Sequence, residues 1–403
     1  MRADLFSTVI SFDAALRCVL ETANPVDGTE SLALANADGR VCAVDVIAGA
    51  DVPSFDRAAM DGFAVRSADL ATASVHQPAR LSLVGELFAG MVPDRPLEAG
   101  TCMAIATGAP VPAGADAVVM VEAALVGATS ATFSAPAIPP QHIGPRGADM
   151  RAGDTILRQG ECLTPARLGS LAAIGRTAIE VFRKPSILIA SSGNEVTAPG
   201  IALPRGHVYD VNGVTLGAVI QRHGGTPVPA SSVQDSVDAL VAVLDEAAGH
   251  DVVVVSGGSS VGERDLLLDA VQQRGSVLFH GIAVKPGKPT LFGKVGRTPV
   301  FGMPGNPTSC LSNAYMLLVP FLRKMARLPS WAPLTVEAPL ARRVSSAAGR
   351  HQFYPVRLVD GRVEPVFKSS GDITSMAGAD GFIEIPADVA ALDEGVLVTV
   401  KLF

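Results

Sequence analysis

The amino-acid sequence predicts a multidomain protein of mixed class, α/β plus β, with a doubly wound α/β domain between a composite N-terminal region and a C-terminal β-barrel. The first observation is length: 403 residues are too many for one small core, because a domain holds roughly 150 residues. The second is the alternation of short apolar strands with helices between residues 186 and 327, which is typical of βαβ units. The third is the loss of helical periodicity beyond Trp331.

The composition excludes several classes of protein. Hydrophobic residues make up 48% and charged residues 18% of the chain, so the whole chain is expected to fold. A net charge of -7, without a basic cluster, argues against a nucleic-acid partner. The most apolar stretches are short or broken by Pro320, so we expect no membrane span.

The N-terminus and the cysteines favour a cytoplasmic location. Asp4 and Asp13 interrupt the apolar N-terminal stretch, and no small-residue cleavage site follows, so a secretory signal is not expected. The five cysteines are scattered without a C-x-x-C pair, which argues against a disulfide framework, a zinc knuckle or an iron–sulfur cluster.

The composite N-terminal region is assigned to residues 1–183. Ser11 precedes apolar residues that recur on one helical face, which predicts an N-capped helix from Phe12. From about 46 to 145 the chain is rich in Gly, Pro, Ala and Val, with frequent turn signals. This composition predicts a β-rich insertion.

The doubly wound domain is assigned to residues 184–330. Its strands and helices are predicted in the segments 186–190, 212–222, 235–248, 251–255, 263–274, 299–301 and 307–327. Three of the strands run into Gly-containing loops, and in such a sheet the loops at the carboxyl ends of the strands form the ligand crevice. We therefore expect the functional residues in those loops.

The C-terminal β-barrel is assigned to residues 331–403. Asp360-Gly361 stands between two alternating runs in RLVDGRVEPVF (357–367), and Asp-Gly is a strong short-range signal for a β-hairpin. A second Asp-Gly, at 380 and 381, precedes another strand pattern. The region therefore reads as a small antiparallel sheet or barrel.

The loop SGGSSVGERD (256–265) leaves a predicted strand and enters a predicted helix. Its glycines let backbone N–H groups approach a ligand, and a helix N-terminus favours an anion, so phosphate is the natural ligand. A plain Gly-rich connection, with Glu263 and Asp265 favouring the helix start, explains the loop equally well.

The segment KPGKP (285–289) places Lys285 and Lys288 on a stiff turn, because prolines restrict the backbone and Gly287 permits a tight bend. Two cations held this close would suit a tetrahedral oxyanion between them. Taken alone, a solvated surface turn explains the segment better, since lysines are mostly exposed.

Two further loops carry candidate ligands. GMPGNPTS (302–309) precedes a helix, so Asn306 or Ser309 is a candidate helix cap and oxyanion ligand. SSGNEV (191–196) supplies Glu195, whose oxygens suit Mg²⁺ rather than Zn²⁺, although an isolated acidic loop residue is more often solvated. Cys310, at the start of an apolar helix, is expected to be a buried small residue rather than a nucleophile.

In the N-terminal region, AAMDGFAV (58–65) reads by itself as a hairpin turn at Asp61-Gly62. TGAPVPAGADAVV (107–119) reads as a β-rich loop. The seven histidines are dispersed, and neither a Ser/His/Asp order nor a metal-binding His pair emerges.

The motifs AAMDGFAV, TGAPVP, SSGNEV to YDVN (191–212), SGGSSVGERD, AVKPGKP and GMPGNPTS occur in an order that resembles the molybdopterin molybdenumtransferases. The resemblance runs from about residue 5 to the C-terminus and includes GRHQF (349–353) and SGDITSMAGADGF (370–382). It extends to the catalytic region of gephyrin and its plant counterpart.

This resemblance implies an elongated homodimer with shared active sites, a molybdopterin-binding α/β domain and a C-terminal β-barrel. It implies that adenylylated molybdopterin and molybdate give molybdenum cofactor and AMP, with Mg²⁺ assisting cleavage of the phosphoanhydride. Contact with a molybdopterin adenylyltransferase is a further implied partnership.

The resemblance also implies roles for individual residues. The molybdate pocket corresponds to Lys285, Lys288, Ser309 and Arg350, and the acidic active-site positions to Glu195, Asp235 and Asp265. Glu195 and Asp265 are the expected Mg²⁺ ligands, and Asp61 matches an essential carboxylate from the partner subunit. Substrate-binding positions are expected at Thr107, Asp149, Ser256, Gly257, Gly258, Gly305 and Asn306.

Some positions depart from the pattern of the family. Gly281 stands where many members carry Lys or Arg, which removes one cation from the expected cleft. Pro355 replaces an Arg that often follows the GR-x-x-F element. Ser259 replaces a usual Val, and Asn194 a common Asp. These departures leave the residues assigned to molybdate intact.

Three alternatives remain open at this stage. A molybdopterin adenylyltransferase shares the α/β scaffold and a similar Gly-Gly loop, although the flanking regions and KPGKP argue against it. A gephyrin-type scaffold would bind a partner protein with catalysis secondary, and a diverged paralogue would lack activity.

Tungstate matches molybdate in charge and nearly in size, so both anions fit the expected pocket.

Overall fold

The computed structural model describes residues 9–230, 233–257 and 265–403. The fold separates into two compact units. The first joins the N-terminal residues up to Ser31 with Gly39–Ala43 and Glu180–Phe403, and the second comprises Leu32–Asp38 and Val44–Ile179. The division of the chain at residues 183 and 330 stays a prediction.

The N-terminal helix of the first unit is α1 (Phe12–Thr22), followed by strand β1 (Thr29–Ala33). The Ser11 side chain accepts a hydrogen bond from the Ala14 N–H at 3.2 Å, which satisfies one of the unpaired donors of the first turn. Ala15 and Val19 are buried on the helix face that joins the main core. The predicted N-capped helix is confirmed.

The second unit is β-rich, as predicted. Its elements are β2 (Val46–Ile47), β3 (Arg57–Ala58), β4 (Gly62–Val65), β5 (Ala79–Leu87), β6 (Thr101–Ile105), β7 (Ala117–Met120), β8 (Ala124–Val126), β9 (Ser130–Phe133), β10 (Ile143–Gly144), β11 (Thr155–Leu157) and α2 (Pro165–Ala173). Six of the strands form one sheet in the order β7-β4-β6-β5-β9-β8. Phe63 and Phe133 pack edge to face in its core.

The predicted hairpin at Asp61-Gly62 is wrong. Strand β3, which precedes it, pairs with β10, whereas β4, which follows it, pairs with β6 and β7. Gly62 is required for a different reason: a Cβ atom there would lie 2.0 Å from the Val119 carbonyl oxygen of the neighbouring strand.

The α/β part of the first unit follows the predicted alternation. Its elements are β12 (Ala178–Phe182), β13 (Ser186–Ser191), β14 (Val196–Thr197), β15 (Val208–Tyr209), α3 (Val211–Arg222), β16 (Thr226–Pro229), α4 (Val237–Asp245), β17 (Val252–Ser256), α5 (Leu266–Arg274), β18 (Ser276–His280), β19 (Val284–Lys285), β20 (Leu291–Val295), β21 (Thr298–Met303), α6 (Pro307–Asn313) and α7 (Val319–Met325). The main sheet has the order β16-β13-β17-β21-β20-β18. Its first four strands are parallel.

Both faces of this sheet are covered, which makes the domain doubly wound. Ile187, on one face of β13, belongs to the core that includes residues of α3, α6 and α7. Leu188, the next residue, belongs to a second core with residues of α4 and α5. Successive side chains of a strand point to opposite faces, so each face has its own helical layer.

The C-terminal region forms the predicted small barrel. Its elements are β22 (Thr335–Pro339), β23 (Val344–Ser345), β24 (His351–Val359), β25 (Arg362–Pro365), α8 (Thr374–Ala377), β26 (Gly381–Ile385), β27 (Ala391–Leu392) and β28 (Leu397–Leu402). The antiparallel order is β25-β24-β26-β28-β22, and a bridge between Leu340 and Val363 closes it. The predicted hairpin at Asp360-Gly361 is confirmed by the antiparallel pairing of β24 with β25, and the two residues have φ of 50° and 74°, as in a type I′ turn.

Across the ranges that the structure describes, we find no helix with both the length and the hydropathy that a bilayer crossing requires.

Candidate active site

Three parallel strands of the first unit end side by side. The register places Ser191, Ser256 and Met303 at matching positions of β13, β17 and β21. The hydroxyl oxygens of Ser191 and Ser256 lie 3.3 Å apart. The predicted loops therefore share one edge of the sheet, where the crevice of a doubly wound domain lies.

The backbones of these loops approach one another closely at two glycines. Gly257 has φ +87°, and a Cβ atom there would lie 2.2 Å from the Ser192 carbonyl oxygen. A Cβ atom at Gly305 would lie 3.5 Å from the Gly257 Cα atom. The Asn212 side chain, in the first turn of α3, donates to the Gly305 carbonyl oxygen at 2.8 Å. Gly258 lies outside the described residues.

The turn before α6 is joined to the barrel. Asn306 occupies the N-cap position of α6, but its side chain makes no capping hydrogen bond. Its Nδ2 atom instead donates to the Ser370 hydroxyl at 3.1 Å, and the Thr308 N–H donates to the Ser370 carbonyl oxygen at 3.0 Å. The SGD turn (370–372) thus borders the site, although the motifs predict no role for it.

Two of the predicted acidic residues lie at the loop that follows β13. The Ser192 hydroxyl donates to the Asp235 carboxylate at 2.6 Å, and the Asp235 N–H donates to the Asn194 side chain at 3.1 Å. Glu195 is exposed, and its carboxylate makes no hydrogen bond or ion pair within the described parts of the chain. Asp235 is therefore held by the loop, whereas Glu195 is open to a ligand.

Asp265 is held more firmly than the other carboxylates. It is the N-cap residue of α5, and its Oδ1 atom accepts from the Leu268 N–H at 3.1 Å. Its Oδ2 atom lies 2.8 Å from the His280 Nε2 atom. With only 4% of the residue exposed, a cation at Asp265 would have to compete with these two protein partners.

Helix α6 holds the KPGKP turn in place through hydrogen bonds. Gly287 has φ +102°, a left-handed conformation that favours glycine. The buried Asn313 side chain donates to the Gly287 carbonyl oxygen at 2.9 Å and to the Thr290 hydroxyl at 2.6 Å. The predicted tight bend is present, and a helix that begins at the neighbouring loop fixes its position.

The other predicted molybdate residues surround this turn. Lys285 lies on β19, which pairs with the start of β24, so Arg350 immediately precedes the strand that neighbours Lys285. Ser309 stands four residues before Asn313 and so shares its face of α6. Ser309 is buried, with 3% exposed, whereas Arg350 is exposed. The structure thus brings Lys285, Lys288 and Ser309 to elements that are joined by hydrogen bonds.

The second unit holds the remaining candidates. The Asp61 carboxylate accepts from the Thr107 N–H at 2.6 Å and from its hydroxyl at 2.8 Å. These donors hold the pKa of Asp61 below its usual value. Asp61 borders an open groove of about 800 Å³, lined mainly by apolar side chains such as Phe63. Asp149 lies in another turn, where its N–H donates to the Val52 carbonyl oxygen at 3.0 Å.

Two other kinds of site, a cysteine nucleophile and a metal centre built from protein ligands alone, can be compared with this geometry. Cys310 is fully buried, and burial raises the pKa of its thiol far above the usual range, so it suits a structural role. The described residues contain no group of three or more His, Cys, Asp or Glu side chains placed to hold a metal ion. Mg²⁺ often uses one or two carboxylates together with substrate phosphates, and the exposed Glu195 carboxylate lies at this edge of the sheet.

The fold and the crevice define a multidomain ligand-binding α/β protein. Three family profiles match consecutive parts of the chain. They are described as the MoeA N-terminal region (domain I and II) for residues 10–175, a probable molybdopterin binding domain for residues 188–324, and the MoeA C-terminal region (domain IV) for residues 337–403.

Relatives of established name cover nearly the whole chain. Molybdopterin molybdenumtransferase 2 of Mycobacterium tuberculosis is 35% identical over 373 residues, which are 90% of this chain and 92% of that protein. The molybdopterin molybdenumtransferase of Haemophilus influenzae is 33% identical and covers 98% of this chain and 99% of its own. A solved molybdopterin biosynthesis MoeA protein from Pyrococcus horikoshii is 38% identical, with a TM-score of 0.85 over 98% of this chain and 99% of that one.

The chain belongs to the molybdopterin molybdenumtransferase family, whose members are enzymes of molybdenum cofactor biosynthesis. The family and the fold predicted from the ordered motifs are therefore confirmed. The roles assigned to individual site residues stay predictions.

Proposed function

We propose that this protein inserts molybdenum into adenylylated molybdopterin, consuming molybdate and releasing AMP and molybdenum cofactor. The observation that carries the proposal is the KPGKP turn, held by α6 next to three strand-end loops with closely approaching backbones. One side of such a site suits a small oxyanion, and the other suits a phosphorylated pterin.

The cations of the turn bind molybdate in this proposal. Lys285, Lys288 and Arg350 provide positive charge, and Ser309 provides a hydroxyl. At an effective dielectric of about 20, one cation–anion contact at about 4 Å is worth about 4 kcal/mol before desolvation. Several such contacts would hold the anion where the dithiolene sulfurs of the pterin can replace its oxygens.

The strand-end loops bind the phosphorylated part of the substrate. The backbone N–H group of Gly305 can approach a phosphate because this residue lacks a side chain, and Ser256 and Asn306 add polar groups. The Gly257 N–H already donates to the Met303 carbonyl oxygen at 3.1 Å, so Gly257 contributes by letting the neighbouring loops come close. Asp235 is positioned by Ser192 at the edge of this pocket. These residues orient the phosphoanhydride and exclude water from it.

Mg²⁺ dependence is part of the proposal. Glu195, together with the substrate phosphates, would hold the ion, which would neutralise the charge of the phosphoanhydride when bound. Asp265 holds no metal ion in this proposal, because both of its carboxylate oxygens are engaged by protein groups, the Leu268 N–H and the His280 ring.

We further propose a cytoplasmic homodimer in which Asp61, Thr107 and Asp149 of one subunit complete the site of the other. The proposal rests on the resemblance of the motifs and on the exposure of the Asp61–Thr107 pair. Contact with a molybdopterin adenylyltransferase would pass on the adenylylated substrate without release.

The deciding experiment measures AMP release from adenylylated molybdopterin with and without molybdate. We expect release that requires molybdate and Mg²⁺, and conversion of the pterin to a form that activates a molybdenum-free molybdoenzyme. The same assay with tungstate in place of molybdate shows which of the two anions supports faster AMP release. ATP consumption with free molybdopterin would instead favour an adenylyltransferase, and no turnover in either assay would favour the scaffold or a diverged paralogue.

A further inference from the structure

Asp265 and His280 form a buried polar pair that links two parts of the site. The His280 Nε2 atom lies 2.8 Å from Asp265 Oδ2, with 10% and 3% of the two side chains exposed. The distance fits a hydrogen bond in which the His280 Nε2–H group donates to the Asp265 carboxylate. Charge-assisted hydrogen bonds of this kind are short and strong.

The pair connects segments that are distant in sequence. Asp265 is the last residue of the Gly-rich loop 256–265 and the cap of α5. His280 is the last residue of β18 and stands five residues before Lys285. Gly281, which lies between His280 and Lys285, has φ +94°, and its N–H donates to the Thr290 carbonyl oxygen at 2.8 Å. The hydrogen bond therefore joins the start of α5 to the segment that leads into the KPGKP turn.

We propose that His280 is a positioning residue for molybdenum insertion and that Asp265 acts through this pair as an anchor. His280 holds the Asp265 carboxylate, Asp265 holds the first turn of α5, and together they fix the spacing between the start of α5 and the turn that carries Lys285 and Lys288. Neither side chain needs to contact substrate or metal. For its kinetic consequence the inference rests on the proposed function.

The spacing matters because two ligands must meet in one site. A shift of about 1 Å in a positioning element is enough to lower turnover substantially. Such a misplacement can cost up to about 100-fold in rate. If the pair were purely structural, its loss would lower the stability of the protein but would leave kcat/KM of the folded enzyme unchanged.

Substitutions of His280 test the proposal. His280→Gln retains an N–H donor of similar reach, His280→Leu removes the donor, and His280→Asn carries a donor that is too short. His250→Leu is the matched control, since His250 also bonds a side chain of this domain, with its Nδ1 atom 3.0 Å from the Ser186 hydroxyl, but precedes β17 at the opposite end of the sheet.

We expect His280→Leu and His280→Asn to lower kcat/KM for adenylylated molybdopterin by about 10- to 100-fold, and His280→Gln and His250→Leu to stay within about threefold of the original protein. Deuterium uptake of a peptide covering 265–274 should rise in the first two variants, because the helix cap is loosened. Equal kinetics and uptake in all four variants would overturn the proposal, as would a His280→Gln variant as impaired as His280→Leu.

The uptake measurement does not need turnover. If the original protein releases no AMP, the proposed function fails, while the uptake of the His280 variants still decides whether the pair anchors α5. If His280→Leu does not fold, the comparison of His280→Gln with His280→Asn decides the proposal by the same criteria.

Discussion

The side-chain amide of Asn313 donates to the Gly287 carbonyl oxygen at 2.9 Å, so a residue inside helix α6 fixes the conformation of the turn that carries Lys285 and Lys288. Asn313 also donates to the Thr290 hydroxyl at 2.6 Å. One buried amide therefore holds the middle of the bend and the residue that follows it, and the position of the two lysines depends on helix packing as well as on local sequence.

Asn313→Leu should loosen this turn. The change removes the two hydrogen bonds that Asn313 donates, each worth about 0.5–1.5 kcal/mol, while the Gly287 carbonyl oxygen keeps the Thr290 hydroxyl as a donor at 2.8 Å. Molybdate affinity should fall with the stability of the turn. Denaturant unfolding and calorimetric titration with molybdate measure the two effects. Ser312→Ala is the control, because the buried Ser312 hydroxyl has no hydrogen-bond partner in the described structure. Equal effects of the two substitutions would contradict the assigned role of Asn313.

Lys285→Ala should weaken molybdate binding by tenfold or more and pterin binding much less. The lysine supplies one charge-assisted contact, worth about 1.5–3 kcal/mol, to the anion alone. Calorimetry with each ligand separately makes the comparison. Arg343→Ala removes a cation whose side chain is 68% exposed and pairs with Asp393, so both affinities should stay unchanged. If Lys285→Ala weakens both ligands equally, the lysine does not select the oxyanion.

His223 should make stability fall in mild acid. Burial, with Arg323 and Arg222 nearby, lowers the pKa of this imidazole from 6.5 to about 4. Between these values the unfolded chain binds a proton that the folded protein does not, so the free energy of unfolding decreases as pH falls from 6.5 to 4. The loss is at most about 3 kcal/mol.

The measurement compares the free energy of unfolding at pH 7 and pH 4 in the original protein and in His223→Phe. Phenylalanine keeps the aromatic contacts with Tyr315 and Trp331 but cannot bind a proton. The variant should therefore lose less stability on acidification. An identical loss in both proteins would show that His223 is not responsible for the pH dependence.

Mixed dimers should recover activity if the active sites are shared. An Asp61→Asn homodimer and a Lys285→Ala/Lys288→Ala homodimer should both be nearly inactive. After subunit exchange, a mixed dimer has one site with all the lesions and one site with none. Random exchange makes about half of the dimers mixed, so activity should approach a quarter of the original value under two-fold symmetry. Mass spectrometry confirms the exchange, and mixed dimers without activity would mean that Asp61 acts within its own subunit.

The core of the α/β domain could be predicted because its signals are local. Strands 186–190 and 251–255 are continuous apolar runs, and they were recognised within one or two residues of β13 and β17. The predicted segments do not include the edge strands β16 and β18 or the interior strand β20. Pro227 and Pro229 lie in β16, and proline reads as a turn although an edge strand tolerates it. Likewise, Asp61-Gly62 predicts a hairpin of β3 with β4, but β3 pairs with β10, and β4 pairs with β6 and β7.

The sequence by itself determined the order of motifs, the alternation of strands and helices, the Asp360-Gly361 hairpin and the family. These features depend on neighbours a few residues apart, whose periodicity and turn chemistry are written in the chain. Only the tertiary structure decided that His280 would bond to Asp265, that Asn313 would hold Gly287, and that Ser370 would meet Asn306. Such contacts depend on which strands are adjacent and in what register, because pairing over long separations is selected by burial of the whole core rather than by any local pattern.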